Sequence, residues 1–95
     1  LSLLGAMVFL HPVTPVKPDS IKLPTFLFEF TFDTTRAAVN MLYHGVYRLY
    51  PRIRWLLAHA GGALPFLSYR TSLFTIMPVL ADGLDLPVLD KVEVF

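Results

Sequence analysis

The chain has 95 residues, 55% hydrophobic and 16% charged, with a formal net charge of +1. With no basic block it offers no electrostatic case for nucleic acid. With no cysteine it can hold neither a disulfide nor a thiolate metal site, and a cytoplasmic setting is the expectation.

The opening LSLLGAMVFL has no basic residues ahead of the apolar run and no small-residue cleavage site after it. Ten residues are also too few for a bilayer span, which takes about 20, so no membrane association is expected. The run from Ala6 to Leu10 is instead a buried-strand candidate, closed by His11-Pro12. From Pro12 to Pro24, prolines 12, 15, 18 and 24 remove backbone donors and fix φ, which makes a loop. That loop is long for a strand-to-helix connection, and long loops in compact domains are usually functional.

FLFEFTF at 26–32 fits either a short strand or an extended lining of a pocket mouth. Asp33 is placed to cap a helix on which Val39, Leu42, Val46 and Leu49 form one apolar stripe, with Pro51 as its end. Gly45 weakens that helix but permits close packing. Arg36 is expected to pair with Glu29 or Asp33. Residues 53–58 (IRWLLA) form a second strand candidate and run directly into His59. Gly61-Gly62 is a tight turn, and Pro65 is tolerated in the first turn of a helix that carries Leu64, Leu67, Thr71 and Phe74 on one face and ends near Pro78. The order is strand, loop, helix, strand, helix, an α/β arrangement with a parallel sheet. Beyond Val79 the pattern loosens, with VEVF at 92–95 as a short strand candidate.

His11 and His59 each follow an apolar run directly, at the C-terminal end of a strand, where α/β folds gather their sites. Consecutive strands of a βαβ unit usually lie side by side, about 4.8 Å apart. Two such imidazoles share one cup, suited to a transition metal or to proton transfer near neutral pH. Position alone leaves a structural and a functional role equally open. His44, in mid-helix, is a surface or packing residue. The four phenylalanines between 26 and 32 are packing residues by default, with some available to line a pocket.

MVFLHP, FDTTRAAVNMLYHGVYRLYPRIRW and LLAHAGGALPFLSYR, in that order, resemble the amidohydrolase-related family of decarboxylases over residues 5–77. The likeness is closer to the aromatic-acid decarboxylases than to the aminocarboxymuconate-semialdehyde branch. It implies a partial (β/α)8 TIM barrel of the metal-dependent hydrolase type, about strands 5 and 6 with their helices, over 1–77 and a divergent or truncated tail over 78–95. A complete barrel takes about 250 residues, so the chain is expected to be a fragment.

The resemblance further implies that His11 ligates a divalent metal, Zn²⁺ with Mn²⁺ as the alternative, and that His59 is the catalytic acid/base. Arg70 would bind the carboxylate of a small-molecule acid in a neighbouring subunit, which implies a homodimer for the full-length parent. The expected activity is metal-dependent, nonoxidative decarboxylation of an aromatic or related unsaturated carboxylic acid. A hydrolase of an ester, lactone or amide and an inactive barrel remnant are the alternatives. Two parts of the family pattern are missing: no acid-x-His or His-x-His pair is present, and neither Asp85 nor Asp90 stands where the family's last metal-binding Asp does.

Overall fold

The computed structural model describes residues 2–14, 21–73, 77 and 79. Two four-residue strands, β1 (Met7–Leu10) and β2 (Arg54–Leu57), pair in parallel with Met7 opposite Arg54 and Leu10 opposite Leu57. Between them run a 3₁₀ turn at Thr25–Leu27, a long helix α1 (Glu29–Tyr43) and a single-turn helix α2 (Val46–Leu49). After β2 come a tight turn at His59–Gly61 and helix α3 (Leu64–Thr71). The order expected from the sequence is therefore present, and the strand pairing is parallel.

Several details depart from expectation. FLFEFTF is neither a strand nor an extended lining: α1 begins within it, at Glu29, so Asp33 lies inside the helix and caps nothing. Phe28 stands at the N-cap without a side-chain hydrogen bond, and Glu29 supplies the negative charge that suits a helix start. Gly45 breaks the helix instead of sitting in it. Its φ of 69° is left-handed backbone, which separates α1 from α2. Arg36 is exposed and pairs with neither Glu29 nor Asp33 among the described residues. The stretch expected to continue α3 through Phe74 to Pro78, and the tail over 78–95 with VEVF, lie outside the described residues apart from Met77 and Val79.

The buried face of α1 also differs from the Val/Leu stripe. Thr34, Thr35 and Ala38 are its buried residues, whereas Leu49, on α2, is exposed. Small side chains win because α1 packs closely against the turn at 59–61 and against α3. Larger ones would hold the backbones apart. Tyr47 of α2 closes the other end, donating to the Ala38 carbonyl at 3.2 Å and meeting the Trp55 ring edge-on at 5.6 Å. Tyr43 donates to the Thr71 carbonyl and ties α1 to α3.

Among the described residues, one face of the sheet is covered. On it Val8, Leu10, Trp55 and Leu57 are half-buried, while Met7, Phe9 and Leu56 on the other face are more than half exposed. Strands covered on both faces were the expectation, and the described residues cover one. Among them the fully buried apolar residues are Ala38, Ala58 and Leu64, a very small core for a chain this apolar. No helix among the described residues is long and apolar enough to cross a membrane.

Candidate active site

The register of β1 and β2 ends both strands level, with Leu10 opposite Leu57, and the Ala58 N–H donates to the Leu10 carbonyl at 3.0 Å. His11 follows Leu10 and His59 follows Ala58, so the two imidazoles leave adjacent strand ends. Their ring centroids lie 5.4 Å apart at an interplanar angle of 54°. Both residues are exposed, on the open side of the strand ends.

The two are held differently. His11 donates from Nδ1 to the Pro12 carbonyl at 2.8 Å, which places its proton on Nδ1 and leaves the Nε2 lone pair available. Phe9 meets the His11 ring edge-on at 5.7 Å. The His59 ring makes no hydrogen bond among the described residues. Its neighbours are the His11 ring and Phe30, from the first turn of α1, which lies 6.1 Å away and within 24° of parallel.

The backbone that presents His59 is unusual. His59, Ala60, Gly61 and Gly62 all have positive φ, at 54°, 53°, 80° and 63°. For a residue with a side chain this conformation costs roughly 1–2 kcal/mol, and two such residues stand side by side here. The turn is closed by Gly61 N–H donating to the Ala58 carbonyl at 3.1 Å and Gly62 N–H to the His59 carbonyl at 2.8 Å. It is fastened to α1 through Thr35, whose hydroxyl donates to the Thr31 carbonyl and accepts from the Ala63 N–H, both at 2.8 Å.

An Ala60→Gly substitution is expected to stabilise the fold by about 0.5–1 kcal/mol, since glycine adopts left-handed backbone freely and its extra unfolded-state entropy offsets only part of the relief. Urea titration measures this, and a loss of stability would show that the Ala60 methyl contributes packing.

Arg70 is not gathered into this cluster. It is exposed in the last turn of α3, about 9 Å along the helix axis from Leu64, and forms no ion pair among the described residues. His44 caps the C-terminal end of α1, donating from Nδ1 to the Asn40 carbonyl at 2.8 Å, and takes no part in the site. An open apolar groove of about 440 Å³ runs along Leu57, Ala60, Gly61, Leu64, Pro65 and Ser68, and neither imidazole lines it.

A catalytic zinc normally has three protein ligands, and no group of three or more His, Asp or Glu side chains converges among the described residues. The two imidazoles by themselves do not fit a metal centre. The described donors supply at most part of one.

Two contributors went unread in the sequence. Phe30 was one of four phenylalanines in a segment of undecided structure, and only the start of α1 singles it out. Thr35 sits in the DTT run, where its buried hydroxyl carries no sequence signal beyond the abundance of small polar residues.

Comparison with known proteins adds a family context. A 6-methylsalicylic acid decarboxylase of Penicillium expansum is 39% identical over 95 residues, covering 98% of this chain and 29% of the relative. The 6-methylsalicylic acid decarboxylase acuB of Aspergillus aculeatus is 37% identical over 77 residues, covering 79% of this chain and 23% of the relative. Decarboxylase macB of Penicillium terrestre is 32% identical over 74 residues, covering 70% and 22% respectively. The chain thus spans less than a third of the length of the curated relatives it matches. No family model matches, and no solved structure does.

Proposed function

We propose that this chain, a sequence relative of the 6-methylsalicylic acid decarboxylases, is the part of a longer carboxy-lyase that supplies His11 and His59 to nonoxidative decarboxylation of an aromatic or related unsaturated carboxylic acid. The observation that carries this reading is the pair of imidazoles 5.4 Å apart at the ends of two parallel strands. The reading extends to the scaffold: the segment is the fifth and sixth strands, with their helices, of a (β/α)8 barrel whose other strands cover the bare sheet face. Strand–helix–strand–helix order and parallel pairing support that placement.

The chemistry asked of the protein is a proton exchange. A protonated His59 delivers its proton to the ring carbon that bears the carboxylate, forming the new C–H bond. The C–C bond to the carboxylate then breaks, its electron pair returns to the ring, and carbon dioxide leaves. Neutral His59 recovers a proton from water. An imidazole suits this exchange because its pKa lies near ambient pH, which allows both halves of the cycle.

In the same reading His11 is one ligand of a divalent metal, Zn²⁺ or Mn²⁺, whose other ligands lie elsewhere in the longer polypeptide. Its Nδ1–H bond to Pro12 gives it the tautomer a ligand needs. Arg70 binds a substrate carboxylate across a homodimer interface, where its exposed guanidinium offers a two-pronged fork.

The test is an assay of the longer enzyme on aromatic carboxylic acids in D2O. Carbon dioxide release with one deuterium at the vacated ring carbon is the expected result. Solvent ¹⁸O in the product without carbon dioxide would overturn the reading in favour of a hydrolase. The 95-residue chain by itself is expected to show no turnover with added Zn²⁺ or Mn²⁺, because two imidazoles fall short of a catalytic ligand set.

A further inference from the structure

We infer that Phe30 is a positioning residue for His59, its ring stacked on the imidazole to fix the orientation in which His59 faces His11. This rests on the catalytic role proposed for His59. The two imidazoles differ in what restrains them. His11 is fixed by its own Nδ1–H bond to the Pro12 carbonyl and by the edge of Phe9. His59 has no hydrogen bond to its ring among the described residues. It is exposed, and it stands on a left-handed residue that is itself strained. Such a side chain samples several rotamers unless neighbouring atoms hold it.

Phe30 supplies that hold. Its ring is 6.1 Å from His59 and 24° from parallel, and it also meets His11 edge-on at 6.3 Å and 63°. One phenyl ring therefore lies beside both imidazoles, close to parallel with one and steeply inclined to the other, at separations within the range of aromatic pairs. Phe30 is half-buried in the first turn of α1. α1 is fastened to the His59 turn through Thr35, which donates to Thr31 one residue beyond Phe30 and accepts from Ala63. The latch that seats the turn on the helix also sets the distance between the Phe30 ring and the imidazole. A general acid must stay within hydrogen-bond reach of its target atom, and displacement of a reacting group by about 1 Å can cost roughly 10²-fold. A ring held only by stacking is sensitive to loss of the ring it stacks on.

The experiment joins a spectroscopic readout with kinetics, both on the longer enzyme. In ¹H–¹³C spectra of histidine-labelled protein, the Phe30 ring current should displace the His59 Cε1–H and Cδ2–H signals. Phe30→Leu is expected to remove that displacement, while the His44 signals stay in place as a control for folding. In the enzyme, Phe30→Leu is expected to lower kcat by roughly 10- to 10²-fold with KM little changed, and Phe30→Tyr should restore both signatures. The inference is overturned if Phe30→Leu leaves the His59 signals unmoved. It is equally overturned if the signals move and kcat does not, while His59→Gln abolishes turnover. Full turnover by His59→Gln would sink the catalytic role itself and reduce the stack to packing.

Discussion

Replacing Gly62 with alanine is expected to unfold the chain. A Cβ at this position would stand 2.3 Å from the Thr31 carbonyl oxygen and 2.4 Å from the Thr35 hydroxyl. The first of these is backbone within a helix and has little room to move. The φ of 63° with ψ of −129° adds a conformation that is essentially reserved for glycine. Relief of the clash means lifting the turn off α1, which breaks the Ala63–Thr35 hydrogen bond and exposes Leu64, one of the few buried apolar residues. The combined cost is on the order of 4 kcal/mol or more, among the largest for a single substitution. A chain whose described core is three small or medium apolar residues, and which buries the Thr34 hydroxyl and Trp55 Nε1 without hydrogen-bond partners among the described residues, has little stability to lose. Circular dichroism and urea titration of G62A beside the parent would measure this. The same substitution at Gly61 meets only ordinary contacts at 3.7 Å and beyond, though its φ of 80° remains strained, so G61A should be the milder of the two. Equal losses from both would place the cause in the left-handed backbone and not in the close approach.

His59→Gln in the longer enzyme is expected to lower kcat by roughly 10²- to 10⁴-fold, the usual contribution of a positioned general acid or base. Glutamine preserves the approximate length and hydrogen-bonding capacity of imidazole but cannot carry a proton to carbon. A loss confined to kcat would identify an interaction made only in the transition state, whereas a rise in KM alone would mark His59 as a binding group. The left-handed φ of 54° at this position does not separate the two side chains, since both bear a Cβ, so the comparison isolates the imidazole. Stopped assays for carbon dioxide together with solvent-deuterium uptake at the ring carbon distinguish loss of proton delivery from loss of substrate binding. Unimpaired deuterium uptake in H59Q would transfer the proton-donor role to another group.

Much of the strand framework was legible from the residue pattern, and for a physical reason. MVFL runs into His11, RWLL runs through Ala58 into His59, and both lead on into loop residues, so that signal is local. The meeting of His11 and His59 followed from their places just beyond two strand ends and the habit of successive parallel strands to pair; the one-residue offset, with His11 level with Ala58, was not readable. The segment around α1 was less readable. Alternating phenylalanines at 26–32 imitate a strand, yet the chain turns helical at Glu29 because the residues that follow can pack small side chains against the double-glycine turn. The buried face of Thr34, Thr35 and Ala38 is invisible to a search for large apolar residues, since close backbone approach selects for small volume and not for hydrophobicity. Gly62 was readable as a turn residue, but the α1 carbonyl that forbids any side chain there comes from 31 positions earlier in the chain. The roles proposed for Arg70 and for a metal need partner groups that are not found among the described residues, so neither the residue pattern nor this fold supplies them.

The parallel register has a consequence for how such a segment tolerates change in length. Each residue of a strand advances about 3.3 Å and reverses the side to which the next side chain points. One residue inserted or deleted within β1 or β2 would shift one imidazole along the sheet relative to the other, or turn it to the opposite face. The stretch between His11 and the start of α1 carries no comparable constraint, because its length affects neither the Leu10–Leu57 alignment nor the Thr35 latch. Length variation among related chains should therefore collect between residues 12 and 28 and be absent from 7–11 and 54–62, where the two imidazoles are kept in step.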